Sequence, residues 1–130
     1  MVYKNIMVID DSPFDRLIAK KIIEHAGLAG NIILANSAFE AIDYFKSEND
    51  ASGIPEIIFL DISMPDIDGF GFLKKFESFP TDIRQKCKIV MLSSTVDPTE
   101  LEKARKSHHV NGFISKPLTP EKLSACVNSL

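Results

Sequence analysis

The chain has 130 residues, 45% of them hydrophobic, and 15 Lys and Arg against 18 Asp and Glu give a formal net charge of −3. That length suits one globular domain with a single core, residues 1–130, and excludes two. Charges of both signs are interspersed without a basic block, so neither a nucleic acid nor a membrane surface has electrostatic support as a partner.

The N-terminal stretch has one Lys before an apolar run that ends in two Asp, which fits neither a signal peptide nor a membrane span. Ile6-Met7-Val8-Ile9 is a short buried-strand run that stops at Asp10-Asp11. Ser12 as cap and Pro13 at the first helical position start a helix, with Phe14, Leu17, Ile18, Ile22 and Ala26 as its apolar face and Gly27 as its end. Ile32-Ile33-Leu34 is a second strand. Ser37 and Glu40 form a capping box, and Ala38, Ala41, Ile42 and Phe45 share one face of the helix that follows. Residues 48–55 are polar and form a loop.

Ile57-Ile58-Phe59-Leu60 is an unbroken apolar run, which suits a strand covered on both faces, and it ends at Asp61. Met64-Pro65-Asp66-Ile67-Asp68-Gly69 reads as a turn, with Pro fixing φ and Gly69 supplying a positive φ. Phe70, Leu73 and Phe76 continue a third helix that is mostly core, with Phe72 partly exposed. Ile89-Val90-Met91-Leu92 is a fourth strand ending at Ser93-Ser94-Thr95. Asp97-Pro98-Thr99-Glu100 combines a cap, a helix-start Pro and a capping-box Glu, opening a helix through about Ser107. Residues 110–114 form a fifth strand, followed by Ser115-Lys116-Pro117, and Thr119-Pro120 starts a last helix with Leu123, Val127 and Leu130 inward. Cys87 and Cys126 have no metal-type spacing and read as small core hydrophobes in a reducing compartment. His108 and His109 lack a third ligand, and an interaction with a helix C-terminus suits them better than a metal site.

Five strands alternating with five helices predict a parallel sheet covered on both sides. All carboxyl ends of such a sheet lie at one edge, so Asp10, Asp11, Asp61, Ser93 and Lys116 converge in one crevice. Crowded carboxylates raise one another's pKa unless a cation lies between them, and a hard divalent ion such as Mg²⁺ suits that place. One carboxylate is then a nucleophile toward a phosphoryl group, with Lys116 and Ser93 binding the phosphoryl oxygens. Each residue also has a plain reading: the Asp pair as company for a helix start, Lys116 as a surface lysine, Ser93 as a turn hydroxyl. Their joint placement at four strand ends decides for the site.

These residues resemble the receiver domain of two-component response regulators, and the likeness covers the whole chain. It runs from Val8-Ile9-Asp10-Asp11-Ser12 through Leu60-Asp61-Ile62-Ser63-Met64-Pro65 and Asp68-Gly69 to Leu92-Ser93-Ser94 and Gly112-Phe113-Ile114-Ser115-Lys116-Pro117. The resemblance implies a flavodoxin-like doubly wound (βα)5 α/β fold with strand order 2-1-3-4-5. It implies Asp61 as phosphoacceptor, with Asp11, Asp61 and the backbone carbonyl of Ser63 as Mg²⁺ ligands and Asp10 acting mainly through water. Lys116 then contacts the phosphoryl group, Ser93 is the switch hydroxyl, Phe113 is the switch aromatic, and the Lys116-Pro117 peptide is cis. Ser94, Thr95, Gly69 and Pro117 support the site. His109 stands where such domains often carry a Gly in the left-handed region.

The implied function is a phosphorelay switch rather than an enzyme, one that assists only its own phosphorylation and dephosphorylation. Its partners are a sensor histidine kinase or histidine phosphotransfer protein and, since nothing follows the last helix, a downstream protein target in trans, unless the chain is a piece excised from a larger protein. A cytoplasmic location follows by elimination. The alternative is a constitutive protein-binding module of the same fold that is never phosphorylated. A haloacid-dehalogenase-type phosphatase is disfavoured by Ser63 where a second Asp is expected, and a nucleotide or flavin binder by the carboxylates after the first strand.

Overall fold

The computed structural model describes residues 3–47, 51–94 and 97–130. Five strands, β1 (Tyr3–Ile9), β2 (Ala29–Ala35), β3 (Ile57–Asp61), β4 (Lys88–Ser93) and β5 (Val110–Ser115), form one sheet in the order β2-β1-β3-β4-β5. All four pairings are parallel. The connecting helices are α1 (Pro13–His25), α2 (Ala38–Ser47), α3 (Gly69–Phe76), α4 (Thr81–Lys86), α5 (Pro98–Lys106) and α6 (Pro120–Asn128), with a single 3-10 turn at Ala51–Gly53. None of them is long and apolar enough to cross a membrane.

Successive strand side chains point to opposite faces, so each apolar run feeds two cores. Met7, Ile9, Ile58, Leu60, Ile89 and Met91 pack with Ala41 and Phe45 of α2 and with Phe72, Leu73 and Phe76 of α3. Ile6, Val8, Ile57, Phe59, Val90 and Leu92 pack on the other face with Ala19 and Ile23 of α1 and Leu123 of α6. Full burial of each such side chain contributes about 1.5–3 kcal/mol. The central strand, buried at every position, is therefore held from both sides.

The helix starts follow their capping residues. The Ser12 hydroxyl accepts from the Asp15 N–H at 3.2 Å, the Ser37 hydroxyl from Glu40 N–H at 3.1 Å and the Thr119 hydroxyl from Lys122 N–H at 3.2 Å. The Asp97 carboxylate accepts from Thr99 N–H at 2.9 Å. Gly27, at φ +66°, turns the chain after α1.

Several expectations are corrected. The face of α1 that meets the sheet is Ala19 and Ile23, whereas Phe14 and Leu17 are exposed. Ile18 and Ile22 belong equally to both candidate stripes, and the small Ala19 is what lets the helix approach. Phe72 is fully buried, its ring 6.2 Å from Phe76 and 6.4 Å from Phe79, because α3 begins directly against the end of β3. A sixth helix, α4, stands where five were expected; it buries none of its residues, so it leaves no apolar period to read.

His109 is not left-handed. Among the described residues Asp66, at φ 68°, is the one non-glycine with positive φ. The His109 ring sits edge-on to Phe76 at 5.5 Å with Nε2 3.9 Å from a Glu77 carboxylate oxygen, so it packs on the C-terminal end of α3 rather than on that of α5, the helix it follows. Of the cysteines, Cys87 is buried and burial pushes its thiol up to about 12, while Cys126 is half-exposed.

Candidate functional site

The site forms where β1, β3, β4 and β5 end. Asp10 follows β1, and its backbone N–H donates to the Ala35 carbonyl at 3.0 Å, which fixes its direction. Its carboxylate is buried and accepts from Ser12 N–H at 3.0 Å, while its carbonyl accepts from the Arg16 guanidinium at 2.6 Å. Asp61 is the last residue of β3 and is also buried, with Oδ1 accepting from Ser63 N–H at 3.4 Å. Asp11 is exposed. One oxygen from each of Asp10, Asp11 and Asp61 lies within 4.8 Å of the others, the single such carboxylate cluster among the described residues.

The Lys116 ammonium donates to Asp10 at 2.7 Å and to Asp15 at 3.0 Å, and it lies 3.3 Å from Asp61 Oδ1. Its backbone N–H donates to the Ser93 carbonyl at 2.7 Å, tying β5 to the end of β4. The Lys116-Pro117 peptide is cis. Ser93 is buried, and its hydroxyl donates to Glu100 Oε1 at 3.1 Å. Ser94 is exposed at the mouth, Phe113 is half-buried on the face that carries α5, and Thr95 lies outside the described residues.

Burial is the largest influence on Asp61, and with the negative charge of Asp10 it pushes the carboxyl from 3.8 up to about 7, against the opposing pull of Lys116. For Lys116, burial acts to lower the pKa, but hydrogen bonds to Asp10 and Asp15 and the charges of Asp10 and Asp61 outweigh it and raise the value. The crevice thus holds more carboxylate than its lysine neutralises. Three convergent carboxylate oxygens are the donor set of a hard divalent cation, and a cation there would relieve the repulsion that Asp61 feels.

Gly69 does not supply a positive φ; that role in the turn falls to Asp66. The absent side chain matters for another reason. A Cβ at Gly69 would come within 2.7 Å of the Asp61 carbonyl oxygen and 2.9 Å of Ile62 Cα, so glycine lets α3 start against the end of β3. The Gly69 N–H donates to the Ile62 carbonyl at 2.8 Å across that contact.

Sequence reasoning assigned no site role to Asp15, Arg16 or Glu100. Asp15 and Glu100 stand three residues after a cap, a spacing that reads as helix-start chemistry, and nothing local shows that their carboxylates reach Lys116 and Ser93.

Residues 6–128 match the response regulator receiver domain family. The chain belongs to this family. The receiver domain superposes on a two-component response regulator from Cytophaga hutchinsonii with a TM-score of 0.90 at 29% identity, covering 98% of this chain and 96% of that one. It is 28% identical over 129 residues to the chemotaxis protein CheY of Thermotoga maritima, 98% of this chain and 97% of that relative. It is 30% identical over 118 residues to the osmosensing histidine protein kinase SLN1 of Saccharomyces cerevisiae, 91% of this chain but 9% of that protein's length. Receiver domains serve two-component signalling, and the acidic cluster of this one fits a metal ion.

Proposed function

We propose that residues 1–130 act as a phosphoacceptor switch, in which Asp61 receives a phosphoryl group from a phosphohistidine of a sensor kinase or phosphotransfer protein and the altered surface is read by a protein target. The observation that carries this reading is the meeting of Asp10, Asp61 and Lys116 at three strand ends, with the ammonium 2.7 Å from one carboxylate and 3.3 Å from the other.

Mg²⁺ fits the oxygens of Asp10, Asp11 and Asp61, joined by the Ser63 carbonyl, and when bound it supplies positive charge beside the transferring phosphoryl oxygens. An Asp61 carboxylate oxygen attacks phosphorus, the P–N bond to the donor imidazole breaks as the P–O bond forms, and the imidazole leaves with the electron pair. Lys116 keeps its bond to Asp10 and gives up the one to half-exposed Asp15 to offer its ammonium to a phosphoryl oxygen. Ser93 and Phe113 carry the change outward: the hydroxyl turns to the new acyl phosphate, and the half-buried ring moves into space released beside β4 and α5. Ser94 borders the phosphoryl pocket, Gly69 and Pro117 hold the loops around it, and Thr95 keeps the supporting role that the family resemblance implies. The domain performs no turnover beyond forming and hydrolysing its own acyl phosphate.

The test is intact-protein mass after incubation with acetyl phosphate. A Mg²⁺-dependent gain of one phosphoryl group in the wild type, absent in Asp61→Asn, is expected. No gain in folded protein would replace this reading with that of a constitutive protein-binding module.

A further inference from the structure

The group placed to answer phosphorylation is already engaged. Ser93 ends β4, is buried, and donates its hydroxyl to Glu100 Oε1 at 3.1 Å. Its main chain is fixed by pairing with Ser115 and by the bond its carbonyl accepts from Lys116, so the hydroxyl changes partner chiefly by rotating about χ1. A hydroxyl has one proton to donate. A bond to Glu100 and a bond to a phosphoryl oxygen on Asp61 are therefore alternatives.

Glu100 is set for this by its place in α5. It stands three residues after the cap Asp97, where a Glu ordinarily reaches back to the cap N–H. Its carboxylate reaches the end of β4, across the space between strand and helix. It also lines a cleft of about 470 Å³ together with Ile62 and Ser63 of the loop that leaves Asp61, and with Phe70 and Lys103. Lys103 lies over the Phe70 ring at 4.4 Å, which fastens α5 to the start of α3 on the far side of that cleft. The carboxylate thus overlooks the loop after Asp61, and new negative charge there draws the hydroxyl away from it.

We propose that Glu100 is a positioning residue that holds the Ser93 hydroxyl outward in the resting protein, so that switching is the exchange of one anionic acceptor, the Glu100 carboxylate, for another, the phosphoryl group. This rests on Asp61 being the phosphoacceptor. The start of α5 is tied to β4 by the bond that phosphorylation breaks, and this gives the helix a reason to move when the hydroxyl turns.

The test is calorimetric titration with beryllofluoride in Mg²⁺, a phosphoryl mimic that needs the hydroxyl turned inward. Glu100→Gln replaces a charged acceptor by a weaker neutral one and is expected to tighten binding about fivefold. Glu100→Asp keeps the charge but shortens the reach, and it is expected to tighten binding to a similar extent, which separates the lost bond from lost repulsion. In Ser93→Ala, where no hydroxyl is left to hold, Glu100→Gln is expected to change affinity less than twofold. An unchanged affinity in Glu100→Gln, a wild-type affinity in Glu100→Asp, or the full gain persisting in the Ser93→Ala background would each overturn the proposal. Failure of the wild type to bind beryllofluoride at all would instead overturn the phosphoacceptor reading on which it rests.

Discussion

Replacing Asp61 by Asn is expected to stabilise the metal-free fold at pH 8. The wild-type carboxyl is pushed by burial, and then by Asp10, from 3.8 to about 7. Between those values the folded protein keeps a proton that the unfolded chain gives up, so this group's contribution to stability is greatest below about pH 4 and is lost as pH rises to about 7. A tenfold change in proton affinity is worth about 1.4 kcal/mol, which sets a ceiling of ~4 kcal/mol on the loss. Asn removes the charge but leaves Lys116 bonded to Asp10 and Asp15, so about 1–3 kcal/mol of that loss should be recovered. For a chain of this size that is about 4–12 °C in Tm. Urea melts in EDTA at pH 8 and pH 4.5 measure it: the gain belongs at pH 8 and should largely vanish at pH 4.5, where the folded wild type is protonated. Adding Mg²⁺ at pH 8 should close the gap from the wild-type side, because a ligand of the folded state stabilises it. An Asn variant no more stable than wild type at pH 8, or equally favoured at both pH values, would refute the reasoning.

Asp15→Asn removes one of the carboxylates that hold Lys116, and because Asp15 is 40% exposed the bond is worth only about 0.5–1 kcal/mol. Beryllofluoride binding in Mg²⁺ should tighten about two- to fivefold, and weaker binding would mean that Asp15 orients the ammonium rather than competing for it. Gly69→Ala places a Cβ 2.7 Å from the Asp61 carbonyl oxygen, and because the atoms it meets first are backbone the strain should cost about 1–3 kcal/mol and also slow phosphorylation by acetyl phosphate.

The central strand was legible because it needs no partner to be recognised: Ile57 to Leu60 is apolar on both faces, and a run of that kind has one stable home. Asp61 was legible as its consequence. Strand order was not written in any period; only the family likeness supplied it. The inward face of α1 was misread because large residues at Phe14 and Leu17 outweigh a small one at Ala19, and the sequence does not show that a sheet prefers the small one for close approach. Gly69 was identified as necessary for the wrong reason. A positive φ is a local property that a turn sequence can suggest, whereas a clash with Asp61 depends on where β3 and α3 meet. Asp15 and Glu100 were hidden differently, because each satisfies a local motif that already explains its presence.

That last case has a common geometry. Side chains on a helix lean toward its N-terminus, so the third residue of a helix that follows a strand can reach back to the strand's carboxyl end. In α2 this residue is Glu40, beside the outer strand β2, and it stays with its own helix start by accepting from the N–H of Asn36, the residue before the cap Ser37, at 2.9 Å. In the three helices that border the crevice from α1, α5 and α6, the same position grips the site. Asp15 holds the Lys116 ammonium, Glu100 holds the Ser93 hydroxyl, and the Lys122 ammonium donates to the Ser115 and Pro117 carbonyls on either side of Lys116. In α3 the position is Gly71, whose N–H donates to the Asp68 cap at 2.8 Å. The groups proposed to bind phosphoryl are thus set by the first turns of separate helices. On that proposal, a change at the acyl phosphate would pull on the helix starts that hold these groups.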